Sequence, residues 1–578
     1  MTKKDYFIPR MFYRLLIPSV ISSFGYALAD MADALVVGQK LGETGLAAIS
    51  LCLPVFMLIN LFMDSFGIGG SVLFSQKLGE GNDKEARDCF NRTWVTVLGF
   101  GLLIAAVFNL FPDMCLSFLG TTKADGDVYF ACRDYMRIVS CGAPLLMLDI
   151  VFAAFLRNDN NAALASVGFL VGNITDILLN IVLVVFFDLG TKGAALATVI
   201  GCAVAVCLYM PGLIGKKADV LRFGRVHADV GETFSCFKIG FSTSACHLLQ
   251  FVFFLVINRL LMAHAGQAGV AVLDVVYNVS FFLIYLYNGV AEASQPLIST
   301  FSGENSEADC RAVLSLSKKC ALISGAAVAV LLALFAEPIA SFFGLSQGLL
   351  PDGERAVRIY CIGFAFAGLN ILNEKYYQSE DDFLPSFLIV LMRECVVLLF
   401  CALLFSKIDF SLIWYMYPVT ELVTYGVFCA VKRWVVKKKS DADDERVLRM
   451  TVCNADGDIA RALEKSRAFC LSQKADPKQE YAVTLAIEEV CMSIMRNVMR
   501  DKTDGKIRIT VSASPDGDFT LHILDNAVEF NPFSFGTKKM HSENDFDIDE
   551  VAMAMIKKKA KKFMYRKCSG FNSLVIRI

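Results

Sequence analysis

The first 440 or so residues alternate long apolar runs with short polar breaks, and a more charged pattern with a shorter period follows them. A helix that crosses about 30 Å of hydrocarbon needs about 20 mostly apolar residues. Twelve runs reach that length, so we predict twelve membrane-spanning helices. Their predicted limits are 12–37, 46–72, 91–112, 130–156, 163–187, 194–215, 235–262, 269–298, 316–344, 354–377, 385–406 and 410–432.

Two similar halves make up this apolar region, because short glycine-containing elements recur at a constant spacing. Gly42 and Gly79 recur as Gly266 and Gly303, an offset of 224 residues in both cases (266 − 42 and 303 − 79). The same offset relates Gly45, Ala47 and Glu80 to Gly269, Ala271 and Glu304. Two equal halves in parallel order are typical of transporters that move one lobe against the other around a site near the middle of the membrane.

The pattern as a whole predicts an all-α polytopic membrane protein with twelve transmembrane helices in two six-helix parallel repeats. A C-terminal cytoplasmic α/β two-layer sandwich is predicted to follow them. The predicted boundaries are 1–215 for the N-lobe, 216–234 for a cytoplasmic linker, 235–440 for the C-lobe and 441–578 for the cytoplasmic domain.

The distribution of Lys and Arg predicts the orientation in the membrane. Basic residues are concentrated at the N-terminus, in the loops from even-numbered to odd-numbered spans, and directly after the last span. Cytoplasmic loops carry such an excess, so both termini are predicted to be cytoplasmic in a multi-pass cell-membrane protein. No small-residue cleavage site ends the first apolar run, and we expect no cleavable signal.

Composition supports the membrane assignment and narrows the function. Hydrophobic residues make up 55% of the chain and charged residues only 19%, and the net charge of -2 gives no basis for a nucleic-acid partner. The 19 Cys include no CxxC pair, so they are expected to be reduced, buried small side chains. No Walker A sequence is present, and neither ATP-driven pumping, enzymatic activity nor a cofactor is predicted.

Three polar residues in the predicted N-lobe are expected to form a cation site. Asp33, Asn180 and Thr198 fall within about one helical turn of each other in depth, at a rise of about 1.5 Å per residue, in the outer half of the membrane. An ionisable group at that depth is costly and is therefore a functional candidate. Carboxylate, amide and hydroxyl oxygens suit Na⁺, whereas a carboxyl whose ionised form is disfavoured by burial would bind H⁺.

Several short segments resemble, in order, the sequence elements of the multidrug and toxic-compound extrusion (MATE) family, most closely its DNA-damage-inducible branch. They are 31–38, 75–82, 155–159, 193–198 and 295–298. The resemblance implies a secondary antiporter that exports amphipathic, often cationic compounds against Na⁺ or H⁺ influx. It also implies that Asp33, Asn180 and Thr198 form the coupling site.

The sequence departs from that family at one position of the site. Many members have an Asp one turn after the Asn, where this chain has Val184. Asp176 lies one turn before Asn180 on the same helical face, and we expect it to supply the second carboxylate. Asp30 precedes Asp33 by nearly one turn and is expected either to pair with it or to face a solvated lumen.

The predicted C-lobe has its own candidates for binding substrate or protons. Glu292 stands where the family commonly has Gln, close to Pro296, which is expected to kink its helix. A solvated or hydrogen-bonded carboxylate near the cytoplasmic end is the alternative. His247 and Gln250 are further candidates, and hydrogen bonding between helices is the interpretation favoured for both.

The C-terminal region is patterned as a folded domain. Helices are predicted at 458–472, 479–500 and 551–562, and strands at 506–513, 518–524, 563–567 and 573–578. It resembles the histidine-kinase-like ATPase fold, specifically the anti-sigma-factor serine kinases. In that family Glu489 would activate a nucleophile and Asp525 would read adenine, but Ser493 replaces the Asn that holds Mg²⁺. Weak or absent ATP and Mg²⁺ binding and a regulatory role are therefore expected.

The leading hypothesis is an ion-coupled multidrug exporter whose rocking lobes alternate access to the two sides. Its expected partners are membrane lipid, a small amphipathic substrate, Na⁺ or H⁺, and a cytoplasmic protein that binds 441–578. A lipid-linked saccharide flippase of the same superfamily is one alternative, disfavoured by mostly acidic intramembrane charges. A membrane-anchored signalling protein with an anti-sigma-kinase-like output domain is the other.

Overall fold

The computed structural model describes most of the chain. The described residues are 6–80, 82–119, 121–123, 126–159, 161–214, 220–226, 229–304, 306–343, 345, 347–435, 446–453, 457–500, 504–514, 517–533, 548–568 and 570–578. Side chains are described throughout these ranges except at 26, 28–39, 41–50, 53, 118, 251, 255, 262, 266, 267, 270, 274, 433, 435, 548–552, 554, 562, 566 and 568.

Contacts within the chain divide it into two compact units, a large helical unit and a smaller unit that holds residues 438–578. The helical unit contains fifteen described helices, α1 to α15. They are α1 Phe7–Phe62, α2 Gly69–Gly79, α3 Asp83–Leu110, α4 Pro112–Leu119, α5 Asp127–Asn158, α6 Ala162–Asn180, α7 Gly190–Ile214, α8 Val230–Gly303, α9 Glu307–Leu334, α10 Ala336–Phe342, α11 Leu350–Ile362, α12 Phe364–Ser379, α13 Phe383–Leu391, α14 Val397–Ile408 and α15 Met416–Val435.

Wider helical turns connect some of these helices without a loop. Met63–Ile68 joins α1 to α2, Ile181–Phe186 extends α6, and Met392–Val396 joins α13 to α14, all as π-helical segments. A 3₁₀ segment, Phe410–Tyr415, precedes α15. Interruptions of this kind are frequent at functional sites, and two of these three π segments adjoin candidate residues described below.

Among the described residues, nine helical segments are long and apolar enough to cross a bilayer. A tenth span results if α11 and α12, which are bent by 51° relative to each other, are counted as one. The chain is therefore a mostly helical, multi-pass membrane protein. The predicted first span lies within α1, where many side chains are outside the description. The predicted last span corresponds to α15, whose charged residues, Glu421, Lys432 and Arg433, keep it out of the nine.

Helix α8 is long enough for two spans and reverses its direction between them. A Cβ atom built on Gly269 would lie 3.6 Å from the Cβ of Leu261, whereas residues eight apart in a straight α-helix are separated by about 12 Å. The rings of Phe254 and Tyr277 are likewise only 4.8 Å apart. Helical hydrogen bonding therefore continues through the turn between the predicted spans 235–262 and 269–298.

The two halves of the helical unit meet where glycines replace side chains. A Cβ on Gly79 would lie 2.1 Å from the carbonyl oxygen of Thr300, and one on Gly303 would lie 2.1 Å from the carbonyl oxygen of Gln76. Gln76 and Thr300 are themselves 224 residues apart, so the two contacts are equivalent under the offset read from the sequence. We call this region the Gly79–Gly303 end.

Polar pairs between the halves accompany this close approach. Ser65 Oγ lies 2.6 Å from Ser244 Oγ, and Gln76 Nε2 donates to the carbonyl oxygen of Ser379 at 3.1 Å. The thiols of Cys89 and Cys236 are hydrogen-bonded to each other, and Arg92 pairs with Glu232. All of these contacts lie in the parts of the helices nearest the Gly79–Gly303 end.

The smaller unit contains a five-stranded antiparallel sheet in the order β1-β2-β3-β5-β4 and three described helices. The strands are β1 Val447–Cys453, β2 Lys506–Ala513, β3 Phe519–Asp525, β4 Lys562–Cys568 and β5 Phe571–Arg577. The helices are α16 Asp458–Ser472, α17 Pro477–Val498 and α18 Ile548–Lys559. One face of the sheet, including Ile507, Ile509 and Val511, packs in a common core with α16, α17 and α18.

The predicted helices and strands of this unit are confirmed to within a few residues. The Asp476 side chain accepts from the backbone N–H of Gln479, and a reciprocal bond completes a capping box that fixes the start of α17. Strand β1 was not predicted, although Leu448, Met450 and Val452 alternate as in a half-buried strand. The predicted Pro515–Gly517 turn lies largely outside the described residues.

The glycine contact predicts a clear effect on stability. Gly79→Ala or Gly303→Ala places a methyl group against backbone atoms that cannot rotate away, so we expect a loss of about 1–3 kcal/mol. The change is measurable as the midpoint of unfolding in mixed detergent micelles titrated with a denaturing detergent. Gly99→Ala in α3 is the matched control, because a Cβ there meets no atom within 4 Å.

The two glycines are close enough for their substitutions to interact, since a Cβ on Gly79 would lie 3.0 Å from the Gly303 Cα. The double variant should therefore lose less or more than the sum of the single variants. Stability of Gly79→Ala equal to that of Gly99→Ala would contradict the contact.

Candidate functional site

Two of the predicted cation-site residues meet in α6. The carboxyl of Asp176 is buried, and the Asn180 side chain is buried one turn further along. Asn180 Nδ2 donates to Asp176 Oδ1 at 3.3 Å. A carboxylate and an amide oxygen on one helical face form part of a site for a hard cation.

Helix α7 packs directly against this face. A Cβ on Gly201 would lie 3.0 Å from the Asp176 Cβ, and a Cβ on Gly172 would lie 3.0 Å from the Gly201 carbonyl oxygen. Thr198 lies three residues before Gly201 on the same side of α7, and its hydroxyl donates to the Ala194 carbonyl at 3.3 Å. The residues present therefore fit a site that combines carboxylate, amide and hydroxyl oxygens.

The remaining predictions for this site have different outcomes. The side chains of Asp33 and Asp30 lie outside the described residues, although their backbone belongs to α1. Val184, where many MATE members have Asp, lies in the π-helical extension of α6 and is fully buried.

A further acidic group in this half was not predicted from the sequence. Asp149 of α5 is buried, and the hydroxyl of Tyr209 in α7 donates to its Oδ1 at 2.9 Å. The thiol of Cys202 also hydrogen-bonds the carboxyl. The signal was readable, because Asp149 is a single acid in the long apolar run 139–156.

The other half contains a charged network that the sequence analysis also missed. Arg393 Nη1 lies 2.7 Å from Glu394 Oε1, and Arg393 Nε lies 2.6 Å from Glu421 Oε1. Asn370 Nδ2 donates to Glu421 Oε2 at 2.8 Å. The three charged side chains are only 10–13% exposed, and their charges sum to −1. Arg393 and Glu394 belong to the π-helical turn between α13 and α14.

A cavity of about 80 Å³ adjoins this network. Its walls combine the three charged side chains with aromatic rings from α8, α11, α12 and α15, namely Phe253, Phe254, Tyr277, Tyr360, Phe364 and Tyr417. Gln250 lines the cavity and donates from Nε2 to Glu394 Oε2 at 3.1 Å. Aromatic faces and surplus negative charge are the chemistry that binds organic cations.

The other predicted C-lobe candidates lie in contacts between the two halves. His247 Nε2 lies 3.2 Å from Asp64 Oδ2. Glu292 Oε2 lies 3.1 Å from Arg157 Nη1 and 3.4 Å from Ser23 Oγ. Both pairs join α8 to the first half of the unit, and both lie near the Gly79–Gly303 end. Glu292 is thus partnered by a cation of the opposite half.

The predicted nucleotide residues of the smaller unit form a closed network. Asp525 Oδ1 accepts from the Asn572 side chain at 2.8 Å and from the Ala527 N–H at 2.9 Å. Asn572 Oδ1 in turn accepts from the Tyr565 hydroxyl at 2.9 Å. Burial raises the pKa of the nearby Cys491 thiol to about 12, and the Asp525 carboxylate acts in the same direction. Asp525 is therefore occupied by side chains of its own fold.

The other positions of that predicted site differ in burial. Ser493 is buried in α17 and its carbonyl accepts from Asn497 Nδ2 at 2.9 Å, while Glu489 is half-buried on the same helix. The segment 534–547, which includes most of the region where a nucleotide lid is expected, lies outside the described residues.

Comparison with known proteins adds independent evidence. Residues 454–578 match the histidine kinase-like ATPase domain family. Two similar proteins are multidrug export protein MepA from Staphylococcus haemolyticus, 27% identical over 285 residues (49% of this chain), and probable multidrug resistance protein YoeA from Bacillus subtilis, 22% identical over 436 residues (73% of this chain). The aligned regions cover 62% of MepA and 93% of YoeA.

Solved transporter structures share the fold of the helical unit. An outward-facing multidrug resistance MATE family transporter of the MOP superfamily matches with a TM-score of 0.69 and 20% identity, over 75% of this chain and 100% of its own. A MOP superfamily transporter from Pyrococcus furiosus matches with a TM-score of 0.68 and 20% identity, over 75% and 98%.

The helical unit also matches a family profile directly. The MatE profile aligns with residues 18–182 and 244–403, which together are more than half of the sequence. The chain belongs to the MatE family.

Proposed function

We propose that this protein is a secondary active exporter of amphipathic, often cationic compounds, coupled to influx of Na⁺ or H⁺. The observation that carries the proposal is that buried acidic groups lie inside each half, while the contacts between the halves lie at one end. Such contacts must break if the halves rock to expose the interior alternately. The multidrug relatives named above favour this substrate class.

The Gly79–Gly303 end is proposed to be the cytoplasmic end, because the loops that follow Gly79, Asn158 and Ile214 carry the excess of basic residues. The described conformation would then be closed to the cytoplasm. Twelve spans in two six-helix lobes remain the proposed arrangement, with α1 supplying two and α15 the last.

Coupling is proposed to occur in the N-lobe. Asp176, Asn180 and Thr198 present oxygen atoms from α6 and α7, and Asp33 would complete the site from α1. This set holds Na⁺ through oxygen coordination or H⁺ on a carboxyl.

Substrate is proposed to bind in the aromatic cavity of the C-lobe. At about 80 Å³ the cavity admits a small head group, so a larger compound requires the cavity to widen. Arg393, the basic group of this cavity, is paired with two carboxylates. A lipid-linked saccharide with anionic phosphates would meet surplus negative charge there, which favours the cation exporter over the flippase.

The smaller unit is proposed to regulate transport or bind a protein partner without using ATP. Asn572 occupies the carboxyl of Asp525, which in the resembling kinases reads adenine. Ser493 offers one short hydroxyl where those kinases have an amide that holds Mg²⁺.

Transport by purified protein in liposomes tests the proposed coupling. We expect imposed Na⁺ or pH gradients to drive uptake of ethidium, and Asp33→Asn or Asp176→Asn to reduce the driven rate about tenfold or more, as loss of a group that supports an ion site does. Asp113→Asn is the control, because that carboxyl is exposed and pairs with Lys123. Undiminished driven transport by both site variants would refute the coupling role.

Oxidative cross-linking tests the alternation of the lobes. Cys89 and Cys236 belong to different halves and are hydrogen-bonded, so copper–phenanthroline with dissolved oxygen should join them and stop transport. A thiol reductant should restore it. Cys236→Ser is the matched control, since it retains Cys52 and Cys132, whose sulfurs are 3.3 Å apart within one half. Full transport by the cross-linked protein would exclude movement at this end.

Two measurements test the role of the smaller unit. Export should persist in a variant that ends at residue 440. In the intact protein, hydrogen exchange of amides in 477–533 should be unchanged by millimolar Mg-ATP, because Asn572 holds Asp525. A ligand present at about 100 times its dissociation constant would stabilise its site by about 2.7 kcal/mol, and protection of this region by Mg-ATP would contradict the proposal.

A further inference from the structure

Asp149 differs from the other charged groups considered above in the kind of partner it has. Its side chain is in a residue only 6% exposed, and its hydrogen-bond donors are a phenol and a thiol, Tyr209 and Cys202. Among the described side chains, none of the Lys, Arg or His residues forms an ion pair with it. By contrast, Glu292 and the C-lobe carboxylates are paired with Arg157 and Arg393.

The chemistry of these partners indicates which cation the carboxyl would take. Na⁺ requires several oxygen ligands, and a thiol is a poor ligand for it. An isolated carboxylate anion in the membrane interior is costly. A single carboxyl that accepts from two neutral donors instead suits a proton on its second oxygen.

Asp149 lies between the predicted cation site and the Gly79–Gly303 end. Cys202 is within electrostatic range of both Asp149 and Asp176. In the opposite direction, Tyr209 is within electrostatic range of Arg157, which lies eight residues after Asp149 on α5, about 12 Å along the helix. The described titratable groups that face Asp149 are Tyr209 and Cys202 from α7, with Asp176 and Arg157 beyond them.

We propose that Asp149 is a second proton-binding site of the N-lobe, from which a proton is released at the Gly79–Gly303 end when the lobes separate there. The proposal rests on the proposed exporter function. Separation breaks the Arg157–Glu292 pair, because the two residues belong to different lobes. Water then reaches the carboxyl and takes the proton from Oδ2, leaving a carboxylate and hydronium.

The released charge has a partner in the same lobe. Arg157 loses Glu292 in this step and becomes available to the new carboxylate along α5. Tyr209 keeps its own proton throughout and remains the donor to Oδ1. Asp149 thus exchanges the proton, and Tyr209 is a positioning residue.

Infrared spectroscopy of the intact protein in lipid tests the proton directly. At neutral pH the wild type should show a carbonyl band from a protonated carboxyl that Asp149→Asn lacks and that the exposed-carboxyl control Asp113→Asn retains. Tyr209→Phe should keep the band at a shifted frequency, because it removes one hydrogen bond and leaves the carboxyl. The same variants are assayed for ethidium transport driven by a pH gradient, which Asp149→Asn should abolish.

Each result decides the proposal. A band that persists in Asp149→Asn, or that Tyr209→Phe leaves unshifted, would overturn it, as would full proton-driven transport by a folded Asp149→Asn. If Asp149→Asn fails to fold, the frequency shift in Tyr209→Phe still decides. If the wild type shows no gradient-driven transport, the exporter function fails, whereas the infrared result continues to report on Asp149.

Discussion

The close approach of α2 and α8 at Gly79 and Gly303 constrains much of the membrane unit. No side chain separates the two backbones there, so the distance between the halves is set by main-chain contact. The pairs Ser65–Ser244, Asp64–His247 and Arg157–Glu292 form only while this contact holds. Packed interfaces of this kind tend to have discrete arrangements rather than to deform continuously. Closure at this end and the burial of polar groups between the lobes are therefore one event.

Buried charge is handled differently in the two halves. In the C-lobe, Arg393 joins Glu394 and Glu421, and Asn370 and Gln250 satisfy further carboxylate oxygens. Breaking such a network by removing one member leaves an uncompensated charge, which is strongly destabilising. In the N-lobe, Asp149 has only neutral donors. The first arrangement keeps its charges in place, whereas the second allows a charge to appear and disappear, which is what ion coupling requires.

The sequence alone predicted a large part of this fold, for identifiable physical reasons. Spans follow from apolar length, and the strands and helices of the smaller unit follow from their periodicity, as in α17 and β2. Asp176 was found because it shares a helical face with Asn180. Asp149 and Arg393 were missed because their importance depends on which helices pack against them. The partners of Glu292 and His247 also come from distant helices, and spacing along one helix carries no information about them. Asn572 was missed for the same reason, since β5 brings it to Asp525 across 47 residues.

Similar backbone arrangement does not make the two lobes chemically equivalent. At the offset that relates Gly79 to Gly303, Asp64 corresponds to Asn288, His247 to Ser23, and Glu292 to Ile68. Each charged member of an interlobe pair therefore has an uncharged counterpart. The same holds inside the lobes: Asp149 lies nine residues before the end of α5, and Asn370 lies nine residues before the end of α12. The acid can bind and release a proton, while the amide is fixed by Glu421 beside the aromatic cavity. A repeated fold supplies the hinge-like symmetry that rocking needs, and the differences at matching positions let one lobe bind the coupling ion and the other the cargo.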